Sequence, residues 1–112
     1  MHEYFHVTDV DSAESIMKHG FEGGWGDLGY GVYFWGTLHS ALDYADEGGW
    51  DRRVIDPVII AVGAAPGEIQ EITGADLDVA WDPASYEDMY WHPMEEDTAN
   101  WRPAHMRIVE IE

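Results

Sequence analysis

The chain has no cysteine in its 112 residues, which rules out disulfides and thiolate metal sites and makes a reducing compartment the natural expectation. Basic residues are nearly as scarce. Lys and Arg total 5 against 23 Asp and Glu, a net charge of −18. Direct binding of nucleic acid through its phosphates needs clustered Lys and Arg, so none is expected. No apolar run approaches the roughly 20 residues that span a bilayer. The N-terminal residues also lack a basic-then-apolar signal pattern. A soluble, cytoplasmic protein without a membrane partner is the expectation. No Gly-Lys-Ser or Gly-Lys-Thr occurs, so a triphosphate loop of that type is missing.

What the chain does hold is apolar and aromatic. Hydrophobic residues make up 46% of it, enough to drive folding rather than leave an acidic disordered tail. The length fits one domain, residues 1–112. Six Trp and six Tyr in so short a chain point to aromatic walls as well as core. The acidity has three readings: solubility, steering toward a basic partner, and imitation of nucleic acid by a carboxylate-covered surface. Charge alone leaves all three open.

Glu3 to Thr8 alternates and is rich in aromatic and β-branched residues, which predicts a strand. Asp9 or Asp11 can cap a helix from Ser12 to His19, which Gly20 ends. Phe21 to Gly29 is a glycine-rich loop, and Val32 to Trp35 a buried strand. Thr37 caps a second helix from Leu38 to about Glu47. Val58 to Val62 is apolar throughout and predicts an interior strand. Glu68 to Ile72, Met89 to Trp91 and His105 to Ile111 are further strand candidates, while Gly74 to Asp88 is turn-rich and ambiguous. Two early helices among mostly strands give the class α+β.

His2-Glu3-Tyr4-Phe5-His6 fits the zinc-protease pattern H-E-x-x-H. That chemistry needs both histidines on one helical face, whereas four strand positions span about 13 Å. No metal site is expected. Gly29-x-Gly31 precedes a strand instead of a helix, the reverse of the dinucleotide-binding fingerprint. Taken singly, His6, Tyr33 and Tyr44 read as core residues. Their order says more. His6-Val7-Thr8 closes the first strand. Gly29-Tyr30-Gly31-Val32-Tyr33-Phe34 follows a helix and a glycine loop, and Ser40-Ala41 and Tyr44-Ala45 lie on the next helix.

This series resembles the ADP-ribosyltransferase superfamily of the His-Tyr-Glu type, which includes poly(ADP-ribose) polymerases, diphtheria-like toxins and rifampin ADP-ribosyltransferases. The resemblance runs from His6 to Ala45 and loosely over the C-terminal third. It implies a compact, mostly antiparallel split sheet and NAD as substrate, with His6 on the adenosine ribose, supported by Thr8. It further implies that the Val7 backbone amide grips the carboxamide, with Tyr33 and Tyr44 flanking nicotinamide and Ser40 beside them. In the family glycine follows the histidine, where this chain has Val7, and the spacing from Ser40 to Tyr44 is one residue longer. The family's last member is a carboxylate near the final hairpin. Glu96 is the first candidate, Glu95 the second, and Asp97 adjoins them. A solvated acidic turn accounts for the same three residues.

Flat aromatic faces suit a planar nicotinamide cation. A placed carboxylate stabilises the positive charge that develops as the glycosidic bond breaks. Arg52 and Arg53, or backbone N–H groups around Gly23-Gly24, would receive the pyrophosphate. The functional expectation is a small NAD-dependent mono-ADP-ribosyltransferase acting on a macromolecule. Its acidity favours a basic host protein that itself binds nucleic acid, and by analogy a phage or mobile-element effector against host defence. The alternative is a non-catalytic acidic protein that blocks such a partner by imitating nucleic acid. An RNA 2′-phosphotransferase relative would need more basic residues than the chain has.

Overall fold

The computed structural model describes residues 2–26, 28–46, 56–72, 88–97 and 99–109. The elements in chain order are β1 (Glu3–Thr8), α1 (Val10–His19), β2 (Gly24–Gly26), β3 (Gly29–Trp35), α2 (Leu38–Asp46), β4 (Val58–Gly63), β5 (Gln70–Glu71), β6 (Met89–Pro93) and β7 (His105–Val109). Among the described residues the strands form one antiparallel sheet in the order β5-β6-β3-β1-β4-β7, with β2 paired to β3. The α+β class stands.

Strand alternation divides the side chains between two faces. Val32, Phe34, Ile60 and Val62 face α1, whose Ala13, Ile16 and Met17 cover them together with Phe21. Phe5, Ile59 and Ala61 face α2, which covers them with Ala41 and Leu42. Asp9 caps α1 by accepting from the Ser12 amide at 2.7 Å, which holds its carboxyl below the usual range. Gly20 ends α1 at φ 86°, donating its N–H to the Ile16 carbonyl. The last turn is clamped from outside: the Lys18 carbonyl accepts from Arg102 at 2.7 Å, and the Trp101 backbone pairs with Phe21.

β4 lies inside the sheet, between β1 and β7, as its apolar run predicts. The glycine segment before β3 departs from expectation. Gly24 to Gly26 pair with Gly29 to Gly31, so a short hairpin stands where a loop was expected. β1 and β4 pair over six positions, Glu3↔Gly63 to Thr8↔Val58, whereas β1 meets β3 at Phe5↔Trp35. Continued in register, that ladder would set Val7 against Tyr33. Instead the Tyr33 carbonyl accepts a hydrogen bond from the His6 side chain, and the two strands part. No helix of the described residues is long and apolar enough to cross a membrane.

Candidate functional site

The parting of β1 and β3 brings His6 into the seam. Its Nδ1 lies 2.8 Å from the Tyr33 carbonyl oxygen. A carbonyl only accepts, so Nδ1 carries the proton and Nε2 remains an acceptor. The ring packs edge-on against Phe21 and Phe34, at centroid distances of 5.1 and 5.7 Å. Burial among these rings pushes the imidazole pKa down, against the smaller opposing effect of the Tyr33 carbonyl. His6 is therefore a neutral, oriented ring in the physiological range. His2 has a separate partner, the Gly36 carbonyl. Thr8 is buried at the end of β1 against Val58.

Tyr33 projects from the opposite face. Its hydroxyl donates to the Gly29 carbonyl at 2.8 Å and accepts from the Leu28 amide. The ring stacks on Trp91 at 5.6 Å with an interplanar angle of 23°. Trp35, two residues on and so on the same face, meets Tyr44 of α2 at 5.4 Å. The two tyrosines thus share a face, each against a tryptophan. Trp35 and Trp91 extend the aromatic wall beyond the residues read from sequence.

A carboxylate meets the start of α2: Asp88, which stands immediately before β6 and also neighbours Gly36 and Tyr90. Its Oδ2 accepts from Ser40 at 2.7 Å and from Thr37 at 2.8 Å, both at the start of α2. Thr37 also accepts from the Ser40 amide, as a helix cap does. The Asp88 carbonyl accepts from Gly36, and a Cβ at Gly36 would collide with the Asp88 carboxylate. Asp88 holds φ at 64° and Asp56 at 53°, a left-handed conformation that Asp adopts more readily than most residues other than glycine. Sequence reasoning passed Asp88 over because it ends the ambiguous stretch from Gly74. Its one signal was an acid directly before the aromatic Met89-Tyr90-Trp91.

Glu95, Glu96 and Asp97 follow β6 and are exposed, with Glu96 and Asp97 in a turn. Ser40 therefore meets a carboxylate in Asp88, and no hydrogen bond joins it to Glu95 or Glu96. Arg52 and Arg53 lie outside the described residues. Arg107 is engaged by Glu3 through two bonds of 2.9 and 3.0 Å, a pairing that lowers the Glu3 pKa and raises that of Arg107.

Comparison with protein-family models, with characterised proteins and with solved structures finds no match to this chain.

Proposed function

We propose that the chain is an NAD-dependent mono-ADP-ribosyltransferase whose site lies along β3, from its parting with β1 to its junction with α2. The observation that carries this reading is Asp88, held by the Ser40 and Thr37 hydroxyls at the start of the helix that carries Tyr44. Aromatic faces like those of Tyr33, Trp35 and Tyr44 bind a planar cation by stacking and cation–π attraction. His6 acts from the other face of the sheet, fixing the Tyr33 carbonyl through Nδ1, with Val7 and Thr8 completing the end of β1. Departure of nicotinamide breaks the bond between its ring nitrogen and ribose C1′. The bonding pair stays on nitrogen, and C1′ becomes positive. Asp88 stabilises that charge, more in the transition state than in the ground state. A nucleophile of the target protein then bonds to C1′ and gives up its proton. Asp88 replaces Glu96 and Glu95 as the proposed carboxylate because of its bond to Ser40.

The net charge of −18 favours a basic target. The same charge, with Val7 where the family has glycine, favours the second reading, a non-catalytic acidic inhibitor of a basic nucleic-acid-binding protein. Thermal unfolding with and without NAD tests the site. At a hundred times its dissociation constant, NAD stabilises the fold by about 2.7 kcal/mol. Tyr44→Ala is expected to lose most of that gain. Calorimetry without a binding signal at millimolar NAD would leave the inhibitor reading standing.

A further inference from the structure

Between the end of β6 and residues 100–102 lies a cavity of about 650 Å³, lined by His92, Met94, Glu95, Asn100, Trp101 and Arg102 among others. Two of its polar side chains have spent donors on backbone carbonyls. His92 gives its Nδ1 proton to the Glu68 carbonyl, which leaves Nε2 as an acceptor. Asn100 gives an amide N–H to the His19 carbonyl and keeps Oδ1. Glu95 adds a carboxylate without a hydrogen-bond partner among the described residues, and Glu96 and Asp97 follow it, exposed. Arg102 is tied to the Lys18 carbonyl at 2.7 Å, so three carboxylates stand against one guanidinium. Apolar surface adjoins these groups. The Trp101 indole stacks on the His92 ring at 3.8 Å. The Met94 amide donates to the Tyr30 carbonyl at 2.9 Å, and Tyr30 meets Trp25 across the hairpin at 5.5 Å. By strand alternation His92, Met94, Tyr30 and Trp25 share one face. Trp25 is 73% exposed, the most of any large apolar side chain described.

We infer that this cavity receives an arginine side chain of a partner protein, and that the residues beside that arginine cover the strip formed by Trp25, Tyr30 and Met94. Acceptors in the lining select a donor, and guanidinium has five N–H groups and no acceptor. Its fork matches the Glu95 carboxylate, and its plane stacks on aromatic rings such as those of Trp101 and Trp25. Its aliphatic stem lies against Met94. The strip reaches beyond what one side chain covers, and an exposed Trp backed by Tyr is the surface type that anchors protein contacts. The occupant is therefore a protein segment rather than the free amino acid. A second copy of the chain would bring its own −18 to the contact, which disfavours self-pairing. This site is independent of the proposed transferase chemistry, and either can fail alone.

The test is nuclear magnetic resonance of the full chain titrated with a capped tripeptide of leucine, arginine and leucine. The indole N–H signals of Trp25 and Trp101 and the amide of Glu95 are expected to shift together. A version with citrulline keeps nearly the shape of arginine without its charge, and is expected to bind at least about tenfold more weakly. Glu95→Gln is expected to weaken the arginine peptide at least about tenfold and the citrulline peptide little, a pattern that loss of folding would not give. Glu14→Gln removes the same charge at another exposed position and is expected to leave binding unchanged, which separates the cavity from the overall −18. Trp25→Ala is expected to weaken the peptide but not arginine amide. Equal binding of the two peptides, equal loss in Glu14→Gln and Glu95→Gln, arginine amide binding as tightly as the peptide, or no shift of Trp101 at millimolar peptide would overturn the proposal. Sedimentation showing a dimer that Glu95→Gln abolishes would assign the cavity to a second copy and overturn it likewise.

Discussion

Asp88 is the side chain on which the proposed chemistry depends, and Asn at that position separates charge from shape. Asp88→Asn keeps an oxygen for the Ser40 and Thr37 hydroxyls but removes the negative charge. Turnover is expected to fall at least about a hundredfold, with NAD affinity changed little, because the charge acts on the transition state. Glu95→Gln and Glu96→Gln are expected to stay active. Steady-state kinetics on the three variants check this, and loss of activity in Glu96→Gln alone would move the carboxylate to the turn. His6 makes a second prediction. Its folded pKa is depressed below the unfolded value of about 6.5, so the unfolded chain binds the proton more readily. The stability due to the neutral ring is complete above that value and is lost as pH falls from it toward the folded pKa. Chemical denaturation at about pH 7.5 and about pH 5.5 is expected to show a larger loss for the wild type than for His6→Asn. Glu3 and Asp9, whose pKa values are also lowered, lose their contributions in a more acidic window, below about pH 4.

At the scale of elements, the termini of the two helices tie the fold to the site. Thr37 caps α2 and also holds Asp88, so Thr37→Ala is expected to cost about 1 kcal/mol in urea unfolding and to lower turnover as well. Ser40→Ala removes a bond to Asp88 and leaves the Thr37 cap in place, so its effect falls on turnover more than on stability. Gly20 closes α1 at positive φ, and a Cβ there would approach the Trp101 carbonyl to 2.8 Å. Gly20→Ala is expected to cost at least about 1 kcal/mol, from backbone strain together with displacement of the segment that pairs with Phe21. Much of this layer was legible in the sequence. Glu3 to Thr8 forms its strand at the bounds its alternation gives, Thr37 caps α2 and Gly20 stops α1 as expected, and of the two acids expected to cap α1 it is Asp9, so the helix starts at Val10 rather than Ser12. Local signals fail where pairing is non-local. The Gly24 to Gly26 hairpin is held by β3 rather than by its own propensity. His6 and Tyr33 alternate onto opposite faces, which only strand register reveals. Asp88 meets Ser40 across 48 positions, a separation that no spacing rule covers.

Over the whole molecule, charge is the dominant fact. Five bases cannot neutralise 23 acids, and among the described residues the ion pair between Arg and a carboxylate is Glu3–Arg107. Like-charge repulsion therefore opposes the folded state, and salt screens it over a Debye length of about 10 Å at 0.1 M. The melting temperature is expected to rise as potassium chloride increases from about 0.01 M to about 1 M, measured by circular dichroism. A falling melting temperature would mean that attractive pairs outweigh the repulsion. Affinity for a basic target moves the opposite way, weakening with salt. The proposed activity itself is tested most directly by incubating the purified chain and its Asp88→Asn variant with NAD labelled on the adenylate, in a host lysate. The expected result is a labelled protein and released nicotinamide with the wild type at substoichiometric amounts, and neither with the variant. Equal labelling by the variant, or no labelling and no nicotinamide release by the wild type, would contradict it.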